Sequence, residues 1–185
     1  ALFQPLSQRQ RVSQWLRQHD IAADPERLLF NYGAQNGLLL SLLALGATGE
    51  TILCEGLTYP GLNSLAHSLR LQLKGLAMDE EGLLPEALEK ACQQGHYRIL
   101  YLIPTQQNPT TATMSLARRQ ALLQLCEKYQ LWVIEDDVHG LLPTERPEPL
   151  VNLAPERVCY LGSLSKGISA GLRIGYMLLP PQLHA

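Results

Sequence analysis

Apolar and polar positions alternate along this chain in two rhythms. From Leu2 to His19 the apolar residues Leu2, Leu6, Val12, Trp15 and Leu16 are interleaved with Gln and Arg, a spacing that predicts an amphipathic helix. RLLFNYGAQNG predicts a short strand, a glycine, then a leucine-rich helix from about Gln35 to Leu45. GETILCEGLTYPG reads as strand and turn, Tyr59 to Leu69 as a helix, and RLQLKGLAM as extended chain. In LLPEALEKACQQG, Pro85 suits a helix start and Gly95 follows its end. RILYLIP is a continuous apolar run, the pattern of a strand buried on both faces. Ser115 is positioned to cap a helix that runs to about Tyr129. LWVIEDD and RVCYLGS repeat the buried-strand pattern, and LRIGYMLL supplies a last strand. The proline-rich PTERPEPLVNLAP reads as a surface loop between two strands. Strands alternating with helices predict an α/β domain of three layers, a mostly parallel sheet flanked by helices.

Composition narrows the class. The chain has 185 residues, 46% hydrophobic and 17% charged, enough for one globular domain with a sizeable core. A formal charge of -2 leaves no basic surface for nucleic acid, so no nucleic-acid contact is expected from this segment. No apolar run reaches the ~18 residues of a membrane span. Cys54, Cys92, Cys126 and Cys159 are widely spaced and form no C-x-x-C pair, which suits thiols in a reducing cytoplasm. The chain opens at Ala1 and stops at LLPPQLHA, and we read residues 1–185 as one domain of a longer protein.

In open α/β sheets, ligands bind beyond the carboxyl ends of the strands. Here those ends carry chemistry. LLFNY is followed by Gly33, Ala34 and Gln35, and TILCE by Tyr59. RILYLIP leads to Asn108, LWVIE to Asp136, Asp137 and His139, and RVCYLG to Ser163, Ser165 and Lys166. Each alone has a plain alternative. GAQNG is either a bare turn or a helix N-terminus whose free N–H groups hold a phosphate. Tyr59 is a packed aromatic or a stacking plate, and Asn108 before Pro109 a turn residue or a donor. Asp136 and Asp137 are solvated acids at a strand end, or meet a cationic ligand atom. Asp137 and His139, at i and i+2, could share a metal, but two ligands without a clear third argue against a site. Lys166 and Arg173 are solvated loop cations, or an amine for a Schiff base and a bidentate anion clamp. On the functional reading, partial burial and the nearby arginine would ease Lys166 toward its neutral, nucleophilic form. A Schiff-base lysine, an acid for a pyridinium nitrogen, a stacking aromatic and a phosphate cup together describe a pyridoxal phosphate site.

These residues carry a resemblance. GAQNGL, EGLTYPG, DEEGL, PTQQNPTTATMSLARRQALL, VIEDDVHG and SLSKGISAGLRIGY, in this order and spacing, resemble the large domain of fold-type I pyridoxal-phosphate enzymes of aminotransferase class I/II. Within that group the chain is most similar to the aminotransferase-like domain of MocR-type regulators, a branch of the GntR transcription factors. The resemblance implies that Lys166 forms an internal aldimine, that Asp136 pairs with the pyridine nitrogen and that Asn108 donates to the ring's phenolic oxygen. It implies that Tyr59 stacks on the ring, and that Ala34, Gln35, Ser163, Ser165 and Arg173 surround the phosphate. His139 stands where many relatives carry a tyrosine on the phenolic oxygen, and Ala34 replaces a frequent hydroxyl residue. The resemblance further implies an amino acid or amine ligand and a cytoplasmic homodimer. It places a winged-helix DNA-binding domain before Ala1 and a small domain with the substrate-carboxylate arginine after Ala185. Two functions follow: an effector-sensing regulator domain, or a free-standing aminotransferase moving an amino group between an amino acid and a 2-oxo acid.

Overall fold

Every apolar run predicted as a strand pairs into one sheet. The structure, a computed structural model, describes residues 4–167 and 169–183. In chain order the main elements are α1 (Leu6–Arg17), β1 (Leu28–Asn31), α2 (Ala34–Ala44), β2 (Thr51–Glu55), α3 (Pro60–Leu69) and β3 (Gln72–Leu76). A small hairpin follows, β4 (Met78–Asp79) and β5 (Gly82–Leu83), then α4 (Pro85–Gln94) and β6 (Ile99–Leu102). The chain closes through α5 (Leu116–Lys128), β7 (Trp132–Asp136), α6 (Leu150–Leu153), β8 (Val158–Ser163), α7 (Leu164–Gly167) and β9 (Gly175–Leu178).

Among the described residues the main sheet has seven strands in the order β1-β9-β8-β7-β6-β2-β3. β3, β2, β6, β7 and β8 are parallel; β9 runs antiparallel to both β8 and β1. β1 therefore points the same way as β8. The carboxyl ends of five strands followed by candidate residues share one edge, and antiparallel β9 begins at it.

Period-two alternation sends side chains to two separate core halves. Leu53, Leu100, Val133 and Tyr160 meet Leu16 of α1, Leu88 of α4, Leu122 of α5 and Leu150 of α6. Ile52, Cys54, Tyr101, Ile134 and Leu161 meet Leu38 and Leu42 of α2 and Leu62 of α3. This is the three-layer arrangement that the pattern predicts.

Local chemistry sets the boundaries. Ser115 Oγ accepts from the Arg118 amide at 3.2 Å, the expected cap of α5, and donates to Glu81 Oε2 at 2.7 Å. Pro60 and Pro85 stand at the first turns of α3 and α4. The first helix begins at Leu6, after Pro5; Leu2 lies outside the described residues. PTERPEPLVNLAP is not wholly a surface loop. Its Leu150 and Val151 are buried in α6, and their amides both donate to the Glu135 carboxylate at 2.8 Å. RLQLKGLAM is extended as expected, and its last residue opens the β4–β5 hairpin; Gly82, at φ +104°, follows the two-residue turn in a conformation that would strain a side chain. All four cysteines are free, and burial pushes the Cys126 and Cys159 thiols up to about 12, where they are inert.

Candidate functional site

One cavity of about 260 Å³ sits over the shared strand edge. Each of the ten residues singled out from sequence lines it: Ala34, Gln35, Tyr59, Asn108, Asp136, His139, Ser163, Ser165, Lys166 and Arg173. Gly33, Ile103 and Val138 complete the lining.

The sheet order explains the meeting. α2 starts two residues beyond β1 with Gly33 as its N-cap, at φ +88°, a conformation that favours glycine. Its first amides, of Ala34 and Gln35, precede any helical acceptor and carry the positive end of the helix dipole. A Cβ added at Gly33 would stand 3.4 Å from the Arg173 guanidinium, so the cation lies beside the helix start. Arg173 arrives by a different route from the other residues. It precedes antiparallel β9, whose beginning lies at the carboxyl edge of the parallel strands.

Several predicted donors have duties toward one another. Tyr59 donates its hydroxyl to Gln35 Oε1 at 2.6 Å, and Gln35 Nε2 donates to the Gly61 carbonyl at 3.4 Å. The Gln35 side chain thus fixes the Tyr59 ring, and only its backbone N–H remains for an anion. Ser163 Oγ donates to the Ile174 carbonyl at 3.3 Å and accepts from the Ser165 amide at 3.1 Å, bracing the turn that presents Lys166. Lys166 is exposed rather than partly buried. Asn108 and His139 are half-buried on the cavity wall.

The three acids of VIEDD meet three different environments. Glu135 points to the α5–α6 side, beside the buried Arg119 at 3.9 Å. Asp137 is 1% exposed, and its Oδ2 accepts from Arg146 at 2.6 Å and from the Tyr160 hydroxyl at 2.8 Å. It is a structural anchor rather than a metal ligand, and the chain turns after Asp136 instead of continuing as a strand toward His139. Among the described residues no group of three metal-ligating side chains exists. Asp136 alone faces the cavity. It is 7% exposed, and its Oδ2 accepts the Tyr101 hydroxyl at 2.6 Å. Burial pushes its carboxyl up, while the Tyr101 and Val138 hydrogen bonds and the His139 charge hold it down. None of the three is the solvated strand-end acid of the plain reading.

Sequence reasoning missed Tyr101 and Glu55. Tyr101 pairs with Ile134 in register, two residues before Asp136, so alternation puts both side chains on one face. Its signal was a hydroxyl inside an otherwise apolar run. Glu55, fully buried at the end of β2, accepts from the Ile103 amide at 3.0 Å and from Gln107 Nε2 at 3.5 Å. Those two residues carry the cavity wall and the neighbour of Asn108.

This mostly parallel sheet flanked by helices is the fold-type I arrangement, and the solved structures it superposes on are aminotransferases. The chain belongs to the aminotransferase class I and II family, which it matches over residues 4–184. It is 37% identical to the uncharacterised HTH-type transcriptional regulator YdeF of Bacillus subtilis, over 85% of this chain and 34% of that protein. It is 33% identical to an aromatic amino acid aminotransferase of Schizosaccharomyces pombe, over 78% of this chain and 36% of that one. An archaeal alanine:glyoxylate aminotransferase superposes with TM-score 0.91 at 28% identity, over 97% of this chain and 46% of the other. LysN, the α-aminoadipate aminotransferase of Thermus thermophilus, complexed with N-(5′-phosphopyridoxyl)-L-leucine, gives TM-score 0.85 at 32% identity, over 94% and 45%. The chain spans about a third of the length of the curated relatives it matches. Among the described residues no helix is long and apolar enough to cross a membrane.

Proposed function

We propose that this chain is the pyridoxal phosphate-binding large domain of a MocR/GntR-type transcriptional regulator, in which it senses an amino acid or amine. The observation that carries the cofactor reading is the convergence of an amine, a buried carboxylate, an aromatic ring, free helix amides and a guanidinium on one cavity. That donor set fits the group: an anion-binding helix start at one end, an acid for a basic nitrogen at the other. Bound there, pyridoxal phosphate supplies an aldehyde carbon for amines and a protonated ring that withdraws electrons from the amine's substituents.

This chain's residues then divide the work. Lys166 Nζ is the nucleophile toward the aldehyde and the group that takes and returns a proton. Asp136 keeps a proton on the ring nitrogen through its negative charge. Asn108 and His139 donate N–H groups to the ring oxygen, and Tyr59 covers one ring face. The Ala34 and Gln35 amides, Ser165 and Arg173 would hold the phosphate, and Ser163, whose proton goes to the Ile174 carbonyl, braces the turn beneath it.

The regulator reading is supported by the relatives: besides YdeF, the Bacillus subtilis regulators YisV and YdfD are each 35% identical over 93% of this chain. In the full protein, a cytoplasmic homodimer, DNA is bound through a winged-helix segment outside residues 1–185, and a small domain completes the ligand site. The Schizosaccharomyces pombe enzyme favours a second reading, the large domain of a free-standing aminotransferase. An amino acid that alters DNA binding without being consumed supports the sensor; amino transfer to a 2-oxo acid supports the enzyme.

The cofactor assignment is tested by adding pyridoxal phosphate to the full-length protein, reducing with borohydride and mapping the labelled peptide. The label should fall on Lys166, and Lys166→Ala should abolish both the label and the visible absorption band. A band that persists unchanged in that variant refutes the assignment.

A further inference from the structure

We propose that Tyr101 is a positioning residue for this site: its buried phenol fixes the Asp136 carboxylate as an anion turned to the cavity, and so sets how firmly a pyridine nitrogen is held there. The inference rests on the pyridoxal phosphate reading and adds a residue outside the cavity lining to it.

The geometry is specific. Tyr101 is 0% exposed in β6, flanked by Cys54 of β2 and Ile134 of β7 in register. Its one hydroxyl proton goes to Asp136 Oδ2 at 2.6 Å. Among the described residues, Asp136 Oδ1 accepts only the Val138 amide, at a long 3.4 Å. A carboxylate has about four acceptor positions. The bond to Tyr101 therefore occupies one oxygen firmly and leaves the other with free capacity toward the cavity that Asp136 lines.

The chemistry gives the bond a purpose. A carboxylate this deeply buried is driven toward its neutral form by desolvation, and the Tyr101 hydrogen bond is the foremost opposing influence. A neutral acid has no charge with which to hold a protonated ring nitrogen. Tyr101 serves as donor only, because burial and the Asp136 charge keep its own proton in place far above neutrality. The other titratable groups facing this pair are Glu55 from β2, Tyr59 ahead of α3, Asp137 and His139 beyond β7, and Lys166 from α7. All of them remain in a Tyr101→Phe variant, which removes a single oxygen atom.

The test measures pyridoxal phosphate affinity of the full-length protein by equilibrium dialysis, from about pH 5.5 to about pH 8.5, for wild type, Tyr101→Phe, Asp136→Asn and the double variant. A hydrogen bond to a charged group predicts a loss of about tenfold to a hundredfold in Tyr101→Phe. The loss should deepen toward low pH, where the unsupported Asp136 takes up a proton. In the double variant the effect of Tyr101→Phe should vanish, because the charge it supports is gone. Unaltered affinity and pH profile in Tyr101→Phe, with Asp136→Asn impaired, overturn the role of Tyr101 and leave the cofactor reading standing. Losses that simply add in the double variant also overturn it, since they mark a packing effect. Wild-type protein that takes up no pyridoxal phosphate overturns the cofactor reading and this proposal together.

Discussion

Glu55 gives the sharpest stability prediction. Its side chain is fully buried, Oε1 has no hydrogen-bond partner among the described residues, and Oε2 accepts the Ile103 amide at 3.0 Å. Desolvation pushes its carboxyl up from 4.5 to about 7, with the Ile103 and Gln107 hydrogen bonds opposing and the Asp136 charge assisting. The unfolded chain ionises this group at its ordinary value, the folded chain only near neutrality. Folding therefore holds a proton that the unfolded state releases between those two values, and stability falls as pH rises through that window. At about 1.4 kcal/mol per pH unit, the folded protein loses about 3 kcal/mol to the charged carboxylate above pH 7. Glu55→Gln keeps the acceptor for the Ile103 amide and cannot ionise. Its stability relative to wild type should rise by about 2–3 kcal/mol between about pH 5 and about pH 8.5, or about 5–10 °C in Tm for a domain of this size. Urea unfolding of both proteins across that range reads the difference, and the other buried acids largely cancel in it. A difference that stays flat with pH, or that narrows as pH rises, would refute the reasoning.

Two further outcomes follow from buried contacts. Arg119, 0% exposed, donates to the carbonyls of Met114 at 3.1 Å and Pro104 at 2.9 Å and to Thr105 Oγ1 at 2.9 Å; Arg119→Met should cost about 3–5 kcal/mol in urea unfolding, and a cost below about 1 kcal/mol would contradict its place as the hub of the Asn108 loop. A Cβ at Gly162 would run into the ring of Tyr176, its partner across β8 and β9; Gly162→Ala should lose about 2–3 kcal/mol or more, whereas Gly171→Ala, which among the described residues meets Ser169 Oγ alone, at 3.8 Å, should melt within a degree or two of wild type.

Much of the fold was legible because its elements are local. RILYLIP, LWVIE and RVCYLG are each apolar enough to be buried on both faces, and each becomes an interior strand of the sheet. The candidate residues were legible for the same reason: Ala34, Asn108 and Lys166 stand a few positions beyond a strand, and Asp136 is the last residue of one. PTERPEPLVNLAP misled because the group that organises α6 is Glu135, fifteen residues upstream of Leu150 on another element.

The sequence by itself determined the alternation of strand and helix, and which residues would emerge at strand ends, since both depend on side-chain period and on turn chemistry within a few positions. Only the tertiary structure decided what each emerging group meets. Strand order turned Glu135 to Arg119, Asp137 to Arg146 and Asp136 to Tyr101, and the reversal of β9 brought Arg173 back to the helix start at Gly33. Charge pairing and burial are set by neighbours on other segments of the chain, and those neighbours are assigned when the sheet assembles.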